Sequence, residues 1–503
     1  MALATIYTRA LIGLESPRVT CEVHLAGGLP GLSIVGLVET AIRESRDRVR
    51  AAIRQSGFEV PDGKITVNLA PADLPKGGTR FDLAIAIGIL VVSGQVPASR
   101  LDGLEFFGEL AFSGALRPVR GLLPALLAAR QEAHRCVVPD SCRREVGLLG
   151  QTDTLLAARL INVVRYLAND EALPVCDAVP VDPSDDPSDN DKAEQGADLA
   201  EVRDQPQGKR GLEIAAAGRH NLLFIGPPGT GKTMLARRLP GLLPPLDDEQ
   251  IVENVVLSSL SGDPICASRR RPFRAPHHTS SSVALVGGGR YPRPGEISLA
   301  HHGVLFLDEL PEFARSVLEA LREPLESGVI SIARAEQSIR FPARFQLVAA
   351  MNPCPCGFAG DSQHECRCSP DQIRRYQSKL SGPFLDRLQL RLRINRSPPR
   401  FGEHASDAEE GSAAVRQRVI AATDRQRARG KLANAQLPSW AVQQWCIPDA
   451  AGTRLLQRAA ARFALSMRAC EDALRVARTI ADLAGVESIR EKDVSEALAL
   501  RGA

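Results

Sequence analysis

The sequence predicts an α/β protein of several domains, with a parallel β-sheet in the middle of the chain and helices towards its C-terminus. Short apolar runs, each followed by polar residues, recur between residues 222 and 351 and are typical of buried parallel strands. The stretch "SMRACEDALRVARTIADLAG" repeats apolar residues at helical spacing, and this helix should stop at Gly485. An acidic stretch, "DPSDDPSDNDKAEQGAD", interrupts the chain before Asp204, so a separate domain should precede the sheet.

Length and composition restrict the class of protein. The 503 residues are too many for one hydrophobic core, and 44% hydrophobic with 24% charged residues is typical of a soluble globular protein. A net charge of +3 is too small to identify a partner. The longest uncharged apolar run, Leu83–Val92, has about half the length of a membrane span, and the N-terminus lacks a signal-peptide pattern. We therefore expect a cytoplasmic protein that does not enter a membrane.

Two polar intervals divide the chain. The first, an acidic flexible linker expected over residues 173–205, cannot bury enough apolar surface to fold by itself. The second is Asn395–Ser412, after the last predicted strand. We therefore predict an N-terminal domain, a core and a helical C-terminal domain. Their expected bounds are residues 1–172, 206–395 and 396–503.

The most specific motif is a glycine-rich loop between an apolar run and a predicted helix. The run Leu222–Ile225 leads into "GPPGTGKT", in which the glycines allow backbone N–H groups to close around a phosphate and the helix N-terminus adds a favourable dipole. Lys232 is expected to reach the β- and γ-phosphates, and the Thr233 hydroxyl to bind Mg²⁺. The predicted ATP-binding residues are Gly226, Pro227, Pro228, Gly229, Thr230, Gly231, Lys232 and Thr233.

Two carboxylates follow the next predicted strand. In "GVLFLDELPEF" the apolar run Val304–Leu307 should be a buried parallel strand, whose end brings Asp308 and Glu309 beside the phosphates. Asp308 is expected to hold Mg²⁺ through water, and Glu309 to polarise the water that attacks the γ-phosphate. Such a pair is often only a solvated strand end. Its position about seventy residues after the glycine-rich loop favours ATP hydrolysis.

Asn352 follows a third predicted strand, in "RFQLVAAMNPC". A neutral amide at this strand end can help to orient the attacking water without adding charge, so we expect Asn352 to sense the nucleotide. An asparagine after a strand is also a common turn former, because its side chain bonds to the local backbone.

These residues resemble the AAA+ ATPases of the magnesium-chelatase family, and within it the ComM/YifB group. The resemblance covers nearly the whole chain outside the acidic linker. It is most specific in "RPFRAPHHTSSSVALVGGGRYPRPGEISLAHHGVLFLDELPEF" and "REPLESGVISIARAEQSIRFPARFQLVAAMNPCPCG". It implies an AAA+ core with a helical C-terminal lid, working as a hexamer. It further implies a helicase-like motor that promotes branch migration of DNA in homologous recombination or natural transformation.

The resemblance assigns two projections to the pore of such a ring. The segment Arg271–Ala300 would be an insert in the second helix of the core, and "VISIARAEQSIRFPARF" a hairpin before the strand that ends near Asn352. Basic residues of the insert would suit contacts with DNA phosphates, although a solvated basic loop is an equally ordinary interpretation. They are Arg271, Arg274, His277, His278, Arg290 and Arg293.

The resemblance also assigns roles to two arginines outside the insert. "SGPFLDRLQL" matches the arginine-finger segment of the family, so Arg387 would enter the site of the neighbouring subunit and stabilise charge on the γ-phosphate. "LSMRACEDALRVARTIADL" matches the sensor-two helix. Its arginine would be Arg468, with Arg475 two helical turns later as the alternative. A lone arginine is otherwise usually a surface ion-pair partner.

The N-terminal domain is similar to the α+β protease domain of Lon-type enzymes, which is ribosomal S5 domain 2-like. The similar segments are "LPKGGTRFDLAIAIGILVVSG" and "FFGELAFSGALRPVRGLLPALLAAR". Where the protease has its serine, this chain has Gly78–Asp82, and Leu123 or Pro124 stands where the lysine belongs. Without a neighbouring lysine, Thr79 is not activated as a nucleophile. We expect a binding or assembly domain that lacks the Ser-Lys dyad.

The sequence thus predicts a hexameric, ATP-hydrolysing DNA motor that uses ATP and Mg²⁺ and acts on branched or single-stranded DNA. A basic run in the last domain gives modest support. Its members are Arg416, Arg418, Arg425, Arg427, Arg429 and Lys431. One alternative is a motor subunit of a magnesium chelatase, which would lack the Lon-like domain and the cysteine pairs. Another is a nucleotide-dependent scaffold without hydrolysis.

Four of the eleven cysteines follow Asn352 in "MNPCPCGFAGDSQHECRC". The pairs Cys354/Cys356 and Cys366/Cys368 are close enough to converge on one ion, and four thiolates suit a tetrahedral Zn²⁺ site. Disulfides are disfavoured in a reducing compartment. Structural zinc and free thiols in a packed loop remain as alternatives, and His364 could replace one thiol.

Overall fold

The computed structural model describes residues 2–35, 40–150, 153–179, 198–262, 265, 267–289, 292–333, 338–396 and 410–502. The β-strands are β1 (Ala2–Arg9), β2 (Arg18–Ala26), β3 (Gly31–Val35), β4 (Lys64–Ala70), β5 (Leu104–Phe106), β6 (Glu109–Leu110), β7 (Leu116–Arg117), β8 (Arg135–Pro139), β9 (Leu155–Ala157), β10 (Leu222–Ile225), β11 (Phe273–Arg274), β12 (Gly287–Gly288), β13 (Arg293–Pro294), β14 (Val304–Leu307), β15 (Val329–Ala333), β16 (Ser338–Pro342), β17 (Gln346–Met351) and β18 (Leu390–Arg393).

The α-helices are α1 (Thr40–Gln55), α2 (Asp82–Val92), α3 (Leu122–Gln131), α4 (Arg143–Gly147), α5 (Leu160–Ala168), α6 (Pro206–Gly218), α7 (Lys232–Leu242), α8 (Asp248–Ser261), α9 (Ser282–Val286), α10 (Glu296–Leu299), α11 (Arg315–Ala320), α12 (Arg322–Ser327), α13 (Pro370–Gln377), α14 (Gly382–Leu385), α15 (Ser412–Gly430), α16 (Ser439–Trp445), α17 (Ala450–Phe463), α18 (Met467–Leu483) and α19 (Glu491–Arg501). Within the described ranges, none of these helices combines the length and the apolar character of a membrane span.

The chain divides into two compact units. The first comprises Met1–Asp185, Asp248–Ala267 and Ala333–Arg340; the second comprises Asp186–Asp247, Ser268–Ile332 and Phe341–Ala503.

The first unit contains a mixed sheet in the order β3-β4-β2-β1-β5-β8-β9. Alternate residues of β1, β2 and β4 are buried, as expected for strands with one face on a core. Helix α2 lies on that face and is buried along nearly its whole length. A Cβ on its Gly88 would lie 2.4 Å from Val23 Cγ2, so glycine allows the helix to approach the sheet closely. The predicted likeness to a Lon-type domain stays a prediction.

The segments that prompted the Lon comparison lie within this unit. The Thr79 hydroxyl donates to Glu109 Oε2 at 2.6 Å. The Lys76 ammonium is fully buried and donates to the carbonyl oxygens of Pro71 and Leu74. Thr79 therefore faces a carboxylate, and the amine of Lys76 is bound to backbone oxygens.

The second unit is built on a parallel sheet in the order β11-β14-β17-β10-β18. The three apolar runs predicted as parallel strands are its central members β10, β14 and β17, which confirms that prediction. Successive residues face different clusters: Leu222 and Phe224 belong to one, and Leu223 to the other. Because both faces are covered, the strands are apolar without alternation.

Two of the C-terminal helices, α15 and α18, pack on α6, and α19 contacts the edge strand β18. Residues of α15, α18 and α19 join the same hydrophobic cluster as α6, α7 and the sheet. The predicted helix is α18, whose N-cap Ser466 accepts a hydrogen bond from the Ala469 N–H. It ends shortly before Gly485, which has the left-handed φ of 71° favoured after a helix end. The helix and its stop are confirmed.

Both ends of the expected acidic linker are structured. At the first end, the Leu156 N–H donates to the Pro174 carbonyl oxygen at 2.9 Å. At the second end, Leu199 and Val202 are buried in the hydrophobic cluster of the second unit. Residues 180–197 and 397–409 of the two expected polar intervals lie outside the described residues. The domain bounds stay predictions.

Candidate functional site

Strands β10, β14 and β17 bring three polar segments to one edge of the parallel sheet. Strand β17 pairs with β10 on one side and with β14 on the other. Since parallel strands end at the same edge, the residues that follow Ile225, Leu307 and Met351 meet there.

The loop after β10 has the close-packed backbone that its glycines predict. The Gly226 N–H donates to the Met351 carbonyl at 3.2 Å. A Cβ on Gly226 would lie 2.2 Å from the Ile394 carbonyl oxygen, so another residue would displace the backbone. Gly231, with a left-handed φ of 83°, is the N-cap of α7, which begins at Lys232. Loop and helix N-terminus thus have the arrangement of a phosphate-binding site.

Lys232 closes this loop on itself. Its side chain is largely buried, and Nζ donates to the carbonyl oxygens of Gly226 and Pro227 at 2.7 and 2.8 Å and to Asn352 Oδ1 at 3.2 Å. Burial lowers the pKa of Lys232, and the nearby charge of Asp308 opposes this. The three N–H groups of the Lys232 ammonium thus have three oxygen acceptors. Phosphate oxygens of a bound nucleotide can take the place of these acceptors in the same geometry.

Thr233 and Asp308 meet beside this loop. The Thr233 hydroxyl donates to Asp308 Oδ2 at 2.6 Å, and Asp308 Oδ1 accepts the Glu309 N–H at 2.9 Å. Magnesium prefers hydroxyl, carboxylate and water oxygens. The residues predicted to hold Mg²⁺ therefore fit that ion as a donor set.

Glu309 has an unusual backbone and a partner that sequence reasoning missed. Its φ of 52° and ψ of 46° are left-handed, which is uncommon for a residue other than glycine. Its carboxylate Oε2 lies 3.1 Å from His278 Nδ1. His278 was expected only as a DNA contact; the repeated histidine in "APHHTS" was the available signal.

The predicted arginine finger, Arg387, and the predicted sensor-two arginine, Arg468, meet at one carboxylate. Arg387 Nη2 and Arg468 Nη1 lie 2.6 and 2.8 Å from Glu326 Oε1. The hydrogen bond from Arg468, followed by the charge of Arg387, lowers the pKa of Glu326. The alternative, Arg475, instead pairs with Asp472 at 2.8 Å. Glu326 was not singled out from the sequence.

Arg387 also lines a surface cavity of about 370 Å³. Its guanidinium donates to the Pro383 carbonyl as well as contacting Glu326, and the residue is only 7% exposed. The cavity is otherwise lined by charged and polar side chains. They are Glu319, Arg322, Glu323, Glu326 and Ser327.

The basic residues of the insert differ in their surroundings. Arg271 is buried and donates to the carbonyl oxygens of Pro244 and His302, both at 2.6 Å. Burial lowers its pKa to about 8. The expectation that Arg271 contacts DNA is wrong, because its donors are used inside the protein. Arg274 lies 3.8 Å from Glu296, Arg293 is exposed, and Arg290 lies outside the described residues.

The hairpin that the resemblance predicts over residues 329–345 is present in part. β15 and β16 form a two-stranded sheet, as this prediction requires. Its polar turn is expected at Ala335–Ser338; Ser338 begins β16, and residues 334–337 lie outside the described residues.

The basic run on α15 is mostly engaged within the protein. Arg418 contacts Glu213 and Glu410, and Arg429 contacts Asp482 at 2.7 Å. Arg416 and Arg425 donate to backbone carbonyl oxygens. Arg427 lies 3.9 Å from Asp424. Each arginine of the run thus has a partner within the protein, which weakens the run as evidence for a DNA surface.

The four cysteines after Asn352 converge. Cys354 Sγ lies 3.3 Å from Cys356 Sγ and 3.6 Å from Cys366 Sγ, and all four sulfur atoms lie within 4.8 Å of one another. They are free thiols. The Phe358 backbone N–H makes the largest contribution to lowering the pKa of Cys356 to about 6. His364 stands apart, stacked on Phe358 with its Nδ1 3.6 Å from Asp361.

Comparisons with known proteins find similarity along nearly the whole chain. Three family models match: "Magnesium chelatase, subunit ChlI" over residues 198–400, "Subunit ChlI of Mg-chelatase" over residues 21–141 and "Magnesium chelatase, subunit ChlI C-terminal" over residues 409–501. The chain is 48% identical to the protein YifB of Salmonella typhimurium over 506 residues, covering 100% of this chain and 97% of YifB. It is 47% identical to the competence protein ComM of Haemophilus influenzae, covering 100% of this chain and 98% of ComM. The 67 kDa magnesium-chelatase subunit of Heliobacterium mobile is 29% identical over 42% of this chain and 34% of that subunit.

Proposed function

Because the chain belongs to the ComM/YifB family of magnesium-chelatase-like proteins, we propose that it is an ATP-hydrolysing, ring-forming motor. It acts on branched or single-stranded DNA in the cytoplasm and promotes branch migration. The observation that carries the ATPase part is the meeting of Lys232 with Asn352, and of Thr233 with Asp308, at the carboxyl edge of neighbouring parallel strands.

Each residue at this edge has a distinct task. The N-terminus of α7 and Lys232 bind the β- and γ-phosphates, while Asn352 orients the lysine and the attacking water. Thr233 and Asp308 would hold Mg²⁺, which would neutralise charge on the phosphate oxygens. Glu309 takes part as the carboxylate that polarises the water.

The proposal of a ring rests on Arg387 and Arg468. Each contacts Glu326, which lines the same surface cavity of the second unit as Arg387. An arginine that completes the site of the next copy requires a head-to-tail interface, which closes into a ring when the rotation between copies is suitable. A hexamer is the size that the family resemblance implies.

The DNA part of the proposal is supported by similarity over the whole length to a competence protein. The exposed Arg293 of the insert provides positive charge for phosphates. The basic run on α15 adds nothing to this support, because its arginines have partners within the protein.

Purified wild-type protein should resolve a synthetic Holliday junction when ATP and Mg²⁺ are supplied. Glu309→Gln should still bind ATP and DNA but resolve no junctions, because the amide polarises water poorly. Gel separation of labelled junctions and products measures this. If the wild type hydrolyses ATP but does not move junctions, the branch-migration part of the proposal is wrong. If Glu309→Gln resolves junctions as well as wild type does, the proposal of an ATP-driven motor is wrong.

A motor subunit of a magnesium chelatase is the second candidate. The matching family models favour it, but the similarity to the chelatase subunit of Heliobacterium mobile covers only 42% of this chain. ATP-dependent insertion of Mg²⁺ into a porphyrin, assayed with added chelatase partner subunits, would support this candidate over the DNA motor.

The converging cysteines lead us to propose a structural Zn²⁺ site on the loop after Asn352. Zinc–sulfur bonds of about 2.3 Å in a tetrahedron separate the sulfur atoms by about 3.8 Å. The separations among the sulfur atoms of Cys354, Cys356 and Cys366, 3.3 to 3.6 Å, are close to this value and far from a disulfide bond. The Cys368 sulfur lies within 4.8 Å of them. The same loop packs on the nucleotide loop, since a Cβ on Gly357 would lie 2.8 Å from Pro228 Cδ.

Protein purified under reducing conditions should contain about one zinc ion per chain. The double variant Cys354→Ser/Cys356→Ser should lose the ion and hydrolyse ATP more slowly, because its loop no longer supports Pro228 and Asn352. Nucleotide binding should be spared. Cys470→Ser, outside the cluster, is the matched control and should keep the ion. Atomic emission after chelator washing measures the zinc content. A value near zero in reduced wild-type protein would show that the four cysteines are free thiols and that the proposed zinc site is wrong.

A further inference from the structure

The carboxylate of Glu309 is anchored by a side chain from a different strand connection. Glu309 follows β14, whereas His278 lies on the segment that follows β11. These strands pair in parallel, with Phe273 opposite Val304 and Arg274 opposite Leu305. Their carboxyl ends are therefore adjacent, and the two connections meet with His278 Nδ1 3.1 Å from Glu309 Oε2.

His278 is itself held in place by two aromatic neighbours. Its ring centroid lies 4.2 Å from that of His277, and it meets the Phe313 ring edge-on at 6.4 Å. The next residue in the stack is fixed as well, because His277 Nδ1 lies 2.8 Å from the Thr279 hydroxyl oxygen. These contacts limit rotation of the His278 imidazole, so its Nδ1 stays directed at Glu309.

The Glu309 side chain is less constrained by other contacts than that of Asp308. Asp308 is short and bonded to Thr233, but the longer Glu309 side chain is 56% exposed. A glutamate has three rotatable side-chain bonds, and a general base acts only when its carboxylate is within hydrogen-bond reach of the water. The left-handed backbone of Glu309 fixes where its Cβ points, and His278 then limits where the carboxylate can go.

We propose that His278 is a positioning residue for hydrolysis: its Nδ1–H donates to Glu309 and holds the carboxylate in the orientation that polarises the attacking water. This inference rests on the proposed ATPase function and on Glu309 as its base. His278 touches neither nucleotide nor water in this scheme, and it acts through Glu309 alone.

Replacing His278 by alanine should lower kcat for ATP hydrolysis by about 10- to 100-fold. KM and the affinity for a fluorescent ATP analogue should be unchanged, since the phosphates are held by other residues. His278→Asn should recover part of the loss, because its amide N–H can still donate. In a Glu309→Gln background, His278→Ala should change the residual rate little, as expected for residues that act as a unit.

His277→Phe is the matched control, since it changes the neighbouring histidine but keeps an aromatic ring beside His278 and leaves the contact of His278 with Glu309 in place. It should cost less than His278→Ala. An equal loss would show that the segment as a whole matters, and wild-type or raised kcat in His278→Ala would show that no productive anchor exists; either result overturns the inference. If Glu309→Gln is inactive but His278→Ala is not, only this inference fails. If wild type does not hydrolyse ATP, the proposed function fails.

Discussion

Replacing Arg387 by alanine should lower kcat for ATP hydrolysis by about 10³-fold or more, while the affinity for ATP stays close to that of wild type. The reason is that Arg387 contacts Glu326 and Pro383, whereas Lys232 contacts Gly226, Pro227 and Asn352. The arginine would thus contribute charge to the site of the next copy and little to binding in its own. Steady-state hydrolysis and equilibrium binding of a fluorescent nucleotide measure the two effects.

A mixing experiment makes this prediction specific. Subunits with Arg387→Ala retain Lys232, and subunits with Lys232→Ala retain Arg387. In a random one-to-one mixture, about a quarter of head-to-tail interfaces would combine both intact residues. Activity should therefore return on mixing two inactive proteins. Arg322→Ala is the matched control, because Arg322 lines the same cavity but pairs with Glu319. Failure to recover any activity would contradict action between subunits.

Lys232→Ala should reduce hydrolysis by about 10²- to 10³-fold and also weaken ATP binding. The variant loses the ammonium that would exchange the carbonyl oxygens of Gly226 and Pro227 for phosphate oxygens. Folding should be preserved, because the deleted group is a buried charge bonded mainly to its own loop. Calorimetric titration with ATP and a hydrolysis assay at saturating nucleotide measure both losses.

Lys379→Ala is the control for Lys232→Ala. Lys379 is exposed and pairs with Glu312 at 3.2 Å, so its removal takes away one lysine without touching the nucleotide loop. It should hydrolyse ATP like wild type. Wild-type hydrolysis by Lys232→Ala would mean that the loop after β10 is not the ATP site.

Local patterns in the sequence are sufficient to predict the central strands of the parallel sheet and the polar residues that follow each strand. The runs at β10, β14 and β17 are apolar because both sheet faces are covered, and their ends must lie at one edge because the strands are parallel. Parallel pairing therefore predicts that Lys232 lies near Asn352 and Thr233 near Asp308, as the structure shows. The roles of these residues in hydrolysis stay predictions.

Other features depend on residues that are far apart in sequence and could not be predicted. Arg271 and Arg293 lie in one basic segment, yet the first is buried on backbone carbonyl oxygens and the second is exposed. Likewise, two arginines of α15, Arg418 and Arg429, are paired with acidic residues of other helices. A basic stretch of sequence shows where positive charges are, but only the folded chain shows which of them already have partners within the protein.

Neighbouring residues specify the parallel-sheet core, the glycine-rich loop after β10, the carboxylates after β14 and the cysteine-rich loop, so all four could be predicted. Three contacts are visible only in the folded chain: His278 with Glu309, Arg387 and Arg468 with Glu326, and the four thiols with one another. Strand and loop formation follow local periodicity and backbone preference. Contacts between side chains on separate connections depend instead on how the strands pair and how the helices pack around them.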